Sequence, residues 1–328
     1  MRKINKTLKF SMIIILVILT IGCQAAKKPK TPESPQGKTP KIPDAISQGE
    51  RKEPKLTIHI VDEKQNKEMA FEEYLPGVLA GEMKNDWPME ALKAQAILAR
   101  TFAMEFIDKK GSSKYEGAHL STDIEEAQAW DTEGINDRIK EAVKSTRGMV
   151  ILHNNEFIKA WFHSHAAGRT ATAVEGLGLN EDNPPYIHMV DSPDSPKAPE
   201  EDANWKETFT KEEIAQAVEK TSGQNPGDFS GIKVAEWGPS GRAYKLQIGN
   251  ALVTAPAFRL ALDSTRMKST KLKHISFEGD QITMEGSGYG HGVGMSQWGA
   301  YQMAEEGKSA EEIIKHYFKD IEISKLWD

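Results

Sequence analysis

The hydrophobic pattern divides the chain into an apolar leader, a polar segment and a periodic body. Phe10–Gly22 is an almost unbroken apolar run. Residues 24–54 hold six prolines, seven basic and four acidic residues, and very few apolar ones. From residue 55 the pattern becomes periodic. Leu56, Ile58 and Ile60 alternate and predict a strand over 56–61. Leu75, Val78, Leu79 and Met83 recur at helical spacing and predict a helix over 71–84, with Pro76 tolerated in its first turn. Pro88 then suits the start of a second helix reaching about residue 109, where frequent alanines permit close packing. A third helix is predicted over 135–146, and a hairpin from 148–152 and 156–162. Prolines mark 180–208 as loop-rich. Beyond it the pattern predicts a helix over 211–220, hairpins at 232–237/243–248 and 275–278/281–285, and helices over 296–306 and 310–318. Separate helices and antiparallel strand pairs predict an α+β fold. One main domain spans 55–328 and carries a smaller β-containing subdomain at about 200–272.

Charge changes the reading of the leader. The chain has 42 Lys and Arg against 48 Asp and Glu, a net charge of −6. Arg2, Lys3, Lys6 and Lys9 all precede the apolar run, which is 13 residues long. A membrane span needs about 20, so 1–22 is expected to be a secretory signal peptide. The single cysteine, Cys23, follows at once in Leu19-Thr20-Ile21-Gly22-Cys23. This is similar to a bacterial lipobox, with Thr20 where leucine is usual, and implies lipid on Cys23. Cleavage after Ala25 or Ala26, or retention as a short anchor, are the alternatives. All three put the body outside the cytoplasmic membrane, most simply anchored to its outer face. Residues 23–54 are then a tether, too polar to fold, spanning about 30 Å as a coil and about 100 Å when extended. A lone cysteine excludes a disulfide framework and a Cys-rich zinc site. From residue 55 onward 31 bases meet 44 acids, which argues against a nucleic-acid binder tracking phosphates.

Three segments carry candidate chemistry. In Tyr74–Met83, Glu82 is the one acid in an apolar, small-residue stretch, with Ala80 and Gly81 leaving space beside it. A carboxyl there loses hydration, its pKa rises, and it holds a proton for general acid work; a surface Glu or a structural ion pair is the plainer alternative. In Gly286–Ala300, glycine occupies every second position from 286 to 294. No Gly-Lys-Ser/Thr follows, so this is no phosphate loop. Alternating glycine lets backbone pass close to a ligand or another strand, and delivers His291, Ser296, Gln297 and Trp298 to a helix start. That set suits a sugar site, or a tightly packed buried connection. In Trp161–Thr170, His163 and His165 stand two apart. They suit a polar cleft lining or structural hydrogen bonds, and a metal-dependent hydrolase is a further reading.

Together these segments resemble the stage II sporulation protein D family, which also includes amidase-enhancer proteins of bacterial cell walls. The resemblance covers roughly 55–328 and is carried by Tyr74–Met83, Ala91–Phe102, Phe162–Thr170 and Gly288–Ala300. It implies a lytic transglycosylase that cuts peptidoglycan at N-acetylmuramic acid, leaves 1,6-anhydro ends, and prefers glycan strands denuded of stem peptides. It implies Glu82 as the catalytic acid and Arg100 as a residue that positions substrate. His163, Ser164, His291, Ser296 and Gln297 are the further substrate-binding residues implied. No cofactor is implied. The zinc of some members is not carried over, because no cysteine follows Arg169 here. An amidase that strips stem peptides is the implied partner. The other branch of the family implies a different role, a non-catalytic wall-binding activator of an N-acetylmuramoyl-L-alanine amidase. Ordinary glycoside hydrolysis uses two carboxyl groups, whereas a lone glutamate suits the transglycosylase reaction.

Overall fold

The computed structural model describes residues 41–179 and 182–328. The expected signal peptide 1–22, Cys23 and the tether as far as residue 40 lie outside these residues. Two hydrophobic clusters organise what is described, and the architecture is α+β.

The first cluster begins with β1 (Lys55–Ile60), paired antiparallel with β2 (Gln65–Ala70) and parallel with the short β3 (Leu120–Ser121). Leu56, Ile58 and Ile60 point inward as their alternation requires. β2 is polar and largely exposed; its ladder with β1, rather than burial, makes it a strand. Next come α1 (Phe71–Glu82), α2 (Met89–Lys110) and α3 (Asp137–Ser145). Pro76 lies in the second turn of α1, not the first, where it withholds the N–H that the Glu72 carbonyl would receive. α2 buries Ala91, Ala94, Ala96, Ala99 and Ala103, so its backbone can approach the neighbouring helices closely. β4 (Met149–His153) and β5 (Glu156–Phe157) form the expected hairpin, turned by Asn154 and Asn155 at φ 51° and 64°. The short β6 (Phe162–His163) and α4 (Ala173–Leu177) follow.

The chain then leaves this cluster and builds the second. α5 (Glu200–Ala203), β7 (Asn204–Thr210) and α6 (Lys211–Ser222) are followed by β8 (Ile232–Trp237), β9 (Ala243–Ile248) and β10 (Ala251–Thr254). α7 (Ala255–Leu262), β11 (Leu272–Glu278) and β12 (Gln281–Ser287) complete it. The sheets run β10-β9-β8 and β11-β12-β7. Their shared core includes Trp205, Phe209, Ile214, Leu246, Phe258 and Ile282. This body extends past the expected limit of 272, because β12 pairs along its whole length with β7. β7 also begins inside the stretch expected to be loop; Trp205 and Phe209 face the core once β12 lies beside it.

The chain returns to the first cluster through β13 (Met295–Ser296), parallel to β6, then α8 (Gln297–Glu305), α9 (Ala310–Tyr317) and β14 (Glu322–Lys325). β14 joins β4 antiparallel and drives Trp327 fully inside. The upstream end is also fastened. Residues 41–54, read from composition as tether, belong to the body. Ile42 and Ile46 are buried in the first cluster, one helical turn's spacing apart. Arg51 pairs with Asp328 at 3.0 Å, and Glu53 accepts the Glu72 N–H at 2.8 Å. Two isoleucines suffice to dock a segment whose average composition is polar. Among the described residues no helix is long and apolar enough to cross a membrane.

Candidate active site

Glu82 is the last residue of α1 and lines an open depression of about 470 Å³. Ala80, Met83, Asn85, Asp86, Asp131 and Gly134 line it as well. A strap of extended chain, residues 127–131, crosses α1 beside it. Its Ala129 N–H donates to Glu82 Oε1 at 2.8 Å, and its Asp131 N–H donates to the Gly77 carbonyl at 3.0 Å. Gly77 and Gly81 make the crossing feasible. A Cβ on Gly81 would meet Trp130 N at 2.7 Å, and one on Gly77 would meet the Trp130 ring at 2.8 Å. The space beside Gly81, expected to be open, is therefore filled by the strap, and Trp130 stacks on Tyr74 with ring centroids 5.3 Å apart. Burial under this strap pushes the Glu82 carboxyl up to about 7, against the opposing hydrogen bonds from Ala129 and Gln297. Glu82 thus holds a proton through acidic and near-neutral pH, as a general acid must.

Gln297, the first residue of α8, donates from Nε2 to the Glu82 carbonyl at 3.1 Å. The structure thus joins the two most distant parts of the expected site. Ser296, one residue earlier, is fully buried. It caps α8 by accepting the Gly299 N–H at 3.2 Å and donates to Asp194 Oδ1 at 2.6 Å. Its role is to seat the helix, which corrects the expectation of a substrate contact. Ser164 is half-buried, and its carbonyl accepts the Trp298 N–H at 3.0 Å.

The histidines form a separate layer. His163 is buried, with Nδ1 3.2 Å from the Val293 carbonyl. It lies beside His291, whose Nδ1 accepts the Val293 N–H at 3.0 Å. Burial, with Arg259 and Arg242 nearby, pushes His291 down to about 3, and burial drives His163 well below its ordinary range. Both rings are neutral at physiological pH, and neither lines the depression beside Glu82. His165 takes other partners: its Nδ1 accepts the Ala167 N–H at 3.0 Å and lies 3.5 Å from Asp194. Among the described residues no three His, Cys, Asp or Glu side chains converge as a metal cage.

What organises this layer is Arg242, which sequence reading missed. It projects from the β8–β9 hairpin of the second cluster and is fully buried. It donates to the Arg169 carbonyl at 2.9 Å and the Ala166 carbonyl at 2.7 Å. Buried Glu175 accepts the Arg242 N–H at 3.2 Å and the Ser240 hydroxyl at 2.7 Å. A Cβ at Gly292 would come within 2.6 Å of Arg242 Cζ, and one at Gly294 within 2.0 Å of the Trp161 carbonyl. The alternating glycines are therefore packing space for Arg242 and β6. No local signal marks Arg242, because apart from Ser240 the groups it donates to lie 67 to 76 residues upstream.

Arg100 is also corrected. Its side chain is 0% exposed and forms a bidentate pair with Glu72, at 3.0 and 2.8 Å. It donates to the Met149 carbonyl at 3.0 Å, while Glu72 also accepts from Gly148 N–H and Trp327 Nε1, each at 3.0 Å. Arg100 ties α1, α2, β4 and the chain end together and has no face to offer a substrate.

The comparisons with known proteins bear on the same regions. A family model described as Stage II sporulation protein matches residues 61–153, which contain Glu82 and its strap. A domain of unknown function matches residues 194–294, which embrace the second cluster. Stage II sporulation protein D of Bacillus subtilis (strain 168) is 33% identical over 281 residues, covering 78% of this chain and 74% of that protein. Its counterpart in Bacillus amyloliquefaciens is 32% identical over 272 residues, with 78% and 74% covered. The amidase enhancer of Bacillus subtilis (strain 168) is 27% identical over 295 residues, covering 74% of this chain and 39% of that longer protein.

Proposed function

Since the chain belongs to the stage II sporulation protein D family, we propose that it is a peptidoglycan lytic transglycosylase acting through Glu82. The observation that carries this reading is a carboxyl raised to about 7 on the wall of an open depression. One such group serves both proton steps. With Oε1 held by Ala129, the protonated carboxyl donates to the bridging glycosidic oxygen as its bond to muramic C1 breaks. The muramic C6 hydroxyl then attacks C1, and its proton passes to the Glu82 carboxylate. One glycosidic bond is exchanged for the internal 1,6-anhydro bond, no water is consumed, and Glu82 ends as it began.

The surroundings favour a sugar backbone over a densely charged ligand. Among the residues lining the depression the only base is Lys84, beside the acids Glu82, Asp86 and Asp131, a poor match to a polyanionic ligand. That the strands are denuded of stem peptides, so that an amidase acts first, is carried over from the family resemblance and not from the charge of the depression. The signal peptide and Cys23 carry the enzyme to the outer face of the cytoplasmic membrane, where the wall is within reach of the tether.

Mass spectrometry of products from intact and denuded peptidoglycan tests the reading. Anhydro-muramic ends from the denuded substrate, lost in Glu82→Gln, are expected. Ordinary reducing ends would overturn the mechanism in favour of hydrolysis. No cleavage, with stimulation of a partner amidase instead, would establish the enhancer role that the similarity to an amidase enhancer also suggests.

A further inference from the structure

Asp131 lines the same depression as Glu82 and is held by the same strap. Its Oδ1 accepts the N–H groups of Glu133 and Gly134, at 2.8 and 3.1 Å. Its own N–H is fastened to the Gly77 carbonyl at 3.0 Å. Two residues earlier, Ala129 N–H holds the Glu82 carboxyl at 2.8 Å. Two residues of chain, at most about 7 Å, therefore separate the anchor points of the two acids. Among the described residues Oδ2 of Asp131 accepts no hydrogen bond, and no Lys or Arg pairs with this carboxylate. The other charged groups on the depression, Lys84 and Asp86, are exposed and have no comparable anchoring.

Cleaving a glycosidic bond builds positive charge on the sugar's C1 and ring oxygen. Glu82 begins the reaction neutral and gains negative charge only after it has given up its proton. A carboxylate fixed through one oxygen, with the other left free beside the substrate, supplies that charge with little reorganisation. We propose that Asp131 is a second catalytic carboxylate of this site, whose Oδ2 contacts the muramic ring and stabilises its developing positive charge. This rests on reading the depression as a glycan-cleaving site. No bond forms to Asp131, and it neither gains nor loses a proton.

Asp131→Asn isolates the charge, because the asparagine oxygen still accepts both turn amides. Two measurements on the whole protein at pH 6 decide the matter. The first is turnover of denuded glycan. Asp131→Asn is expected to lower kcat by about 100-fold, with KM and thermal midpoint little changed, as when one preorganised electrostatic group is removed. The second is calorimetric binding of a disaccharide carrying a protonated iminosugar in the muramic position, against its neutral lactam counterpart. The variant is expected to lose at least about tenfold in affinity for the cationic probe and nothing for the neutral one. At this pH Glu82 is itself mostly uncharged, so Glu82→Gln keeps the cationic preference while losing turnover. A kcat within threefold of wild type, or an unchanged cationic preference, overturns the proposal. Equal loss for both probes with a lowered thermal midpoint also overturns it, assigning Asp131 to the turn alone. If wild type cleaves no glycan, the proposed activity fails, and the paired probes still decide whether Asp131 is a cation-stabilising carboxylate.

Discussion

Glu82→Gln should remove activity and, at alkaline pH, make the protein more stable. A carboxyl raised from its ordinary 4.5 to about 7 makes ionising the folded protein cost about 3 kcal/mol more than ionising the unfolded chain. Between pH 4.5 and 7 the folded state holds more protons than the unfolded state. Stability from this group is therefore present below 4.5, falls as pH rises through that window, and is fully lost above about 7. Glutamine keeps the Oε1 acceptor for Ala129 N–H and has no charge to bury. Equilibrium denaturation of both proteins across pH 4 to 8.5 gives the difference directly. It should be near zero at pH 4 and reach about 3 kcal/mol in favour of Glu82→Gln at pH 8.5, roughly 6 °C in thermal midpoint for a body of this size. A difference that does not vary with pH, or one that titrates near 4.5, would refute the idea that burial under the strap holds the proton on Glu82.

Other consequences follow from the same geometry. If Glu82 is the general acid, kcat/KM on denuded glycan should fall about tenfold per pH unit above about 7; a profile flat to pH 9 would exclude the assignment. Gly81→Ala places a Cβ 2.7 Å from Trp130 N, so the strap must lift and Ala129 must release Glu82. Activity should drop by one to two orders of magnitude, with about 1–3 kcal/mol of stability lost, read by kinetics and denaturation side by side. Arg100→Ala leaves Glu72 buried without its partner. It should cost about 3–5 kcal/mol, and Arg100→Ala with Glu72→Gln should recover part of that loss, which a substrate contact would not. Arg242→Ala keeps the main-chain bond to Glu175 but removes the guanidinium donors of the Arg169 and Ala166 carbonyls. It should destabilise the protein by about 1–3 kcal/mol for each carbonyl left unpaired. Proteolysis should then find the 163–169 and 288–294 segments before it finds α2.

The periodic stretches of sequence translated directly into structure because their partners are local. The alternation at Leu56, Ile58 and Ile60 and the helical spacing around Leu75 each bury one face whatever lies opposite. β2 and β7 were not legible in this way. β2 is polar, and β7 sits in a proline-marked stretch; each is a strand because another strand completes its ladder. Ile42 and Ile46 were hidden by the polar average of their surroundings. Of the candidate site, Glu82 could be found as the one acid of the apolar stretch Tyr74–Met83, and Gln297 by its place at the end of the glycine-rich run. Asp131 and Ala129 left no such trace, since one is an ordinary aspartate and the other contributes only its backbone N–H.

The sequence by itself determined the α+β composition and most helix and hairpin positions, and it singled out Glu82 as the one acid between Tyr74 and Met83. Those are properties of neighbours along the chain: side-chain period, turn residues and local composition. The strap that buries the Glu82 carboxyl is a tertiary contact. Tertiary structure alone decided which polar residues line the open depression and which are internal braces. Arg100, His163 and Ser296 carry side chains suited to binding, but each is enclosed, with its hydrogen bonds directed to helix, strand or loop partners. Glu82 is left at an open surface because two glycines one turn apart let a strap pass close enough to bury it without covering it. Burial and exposure depend on contacts between segments far apart in sequence, and no local pattern encodes them.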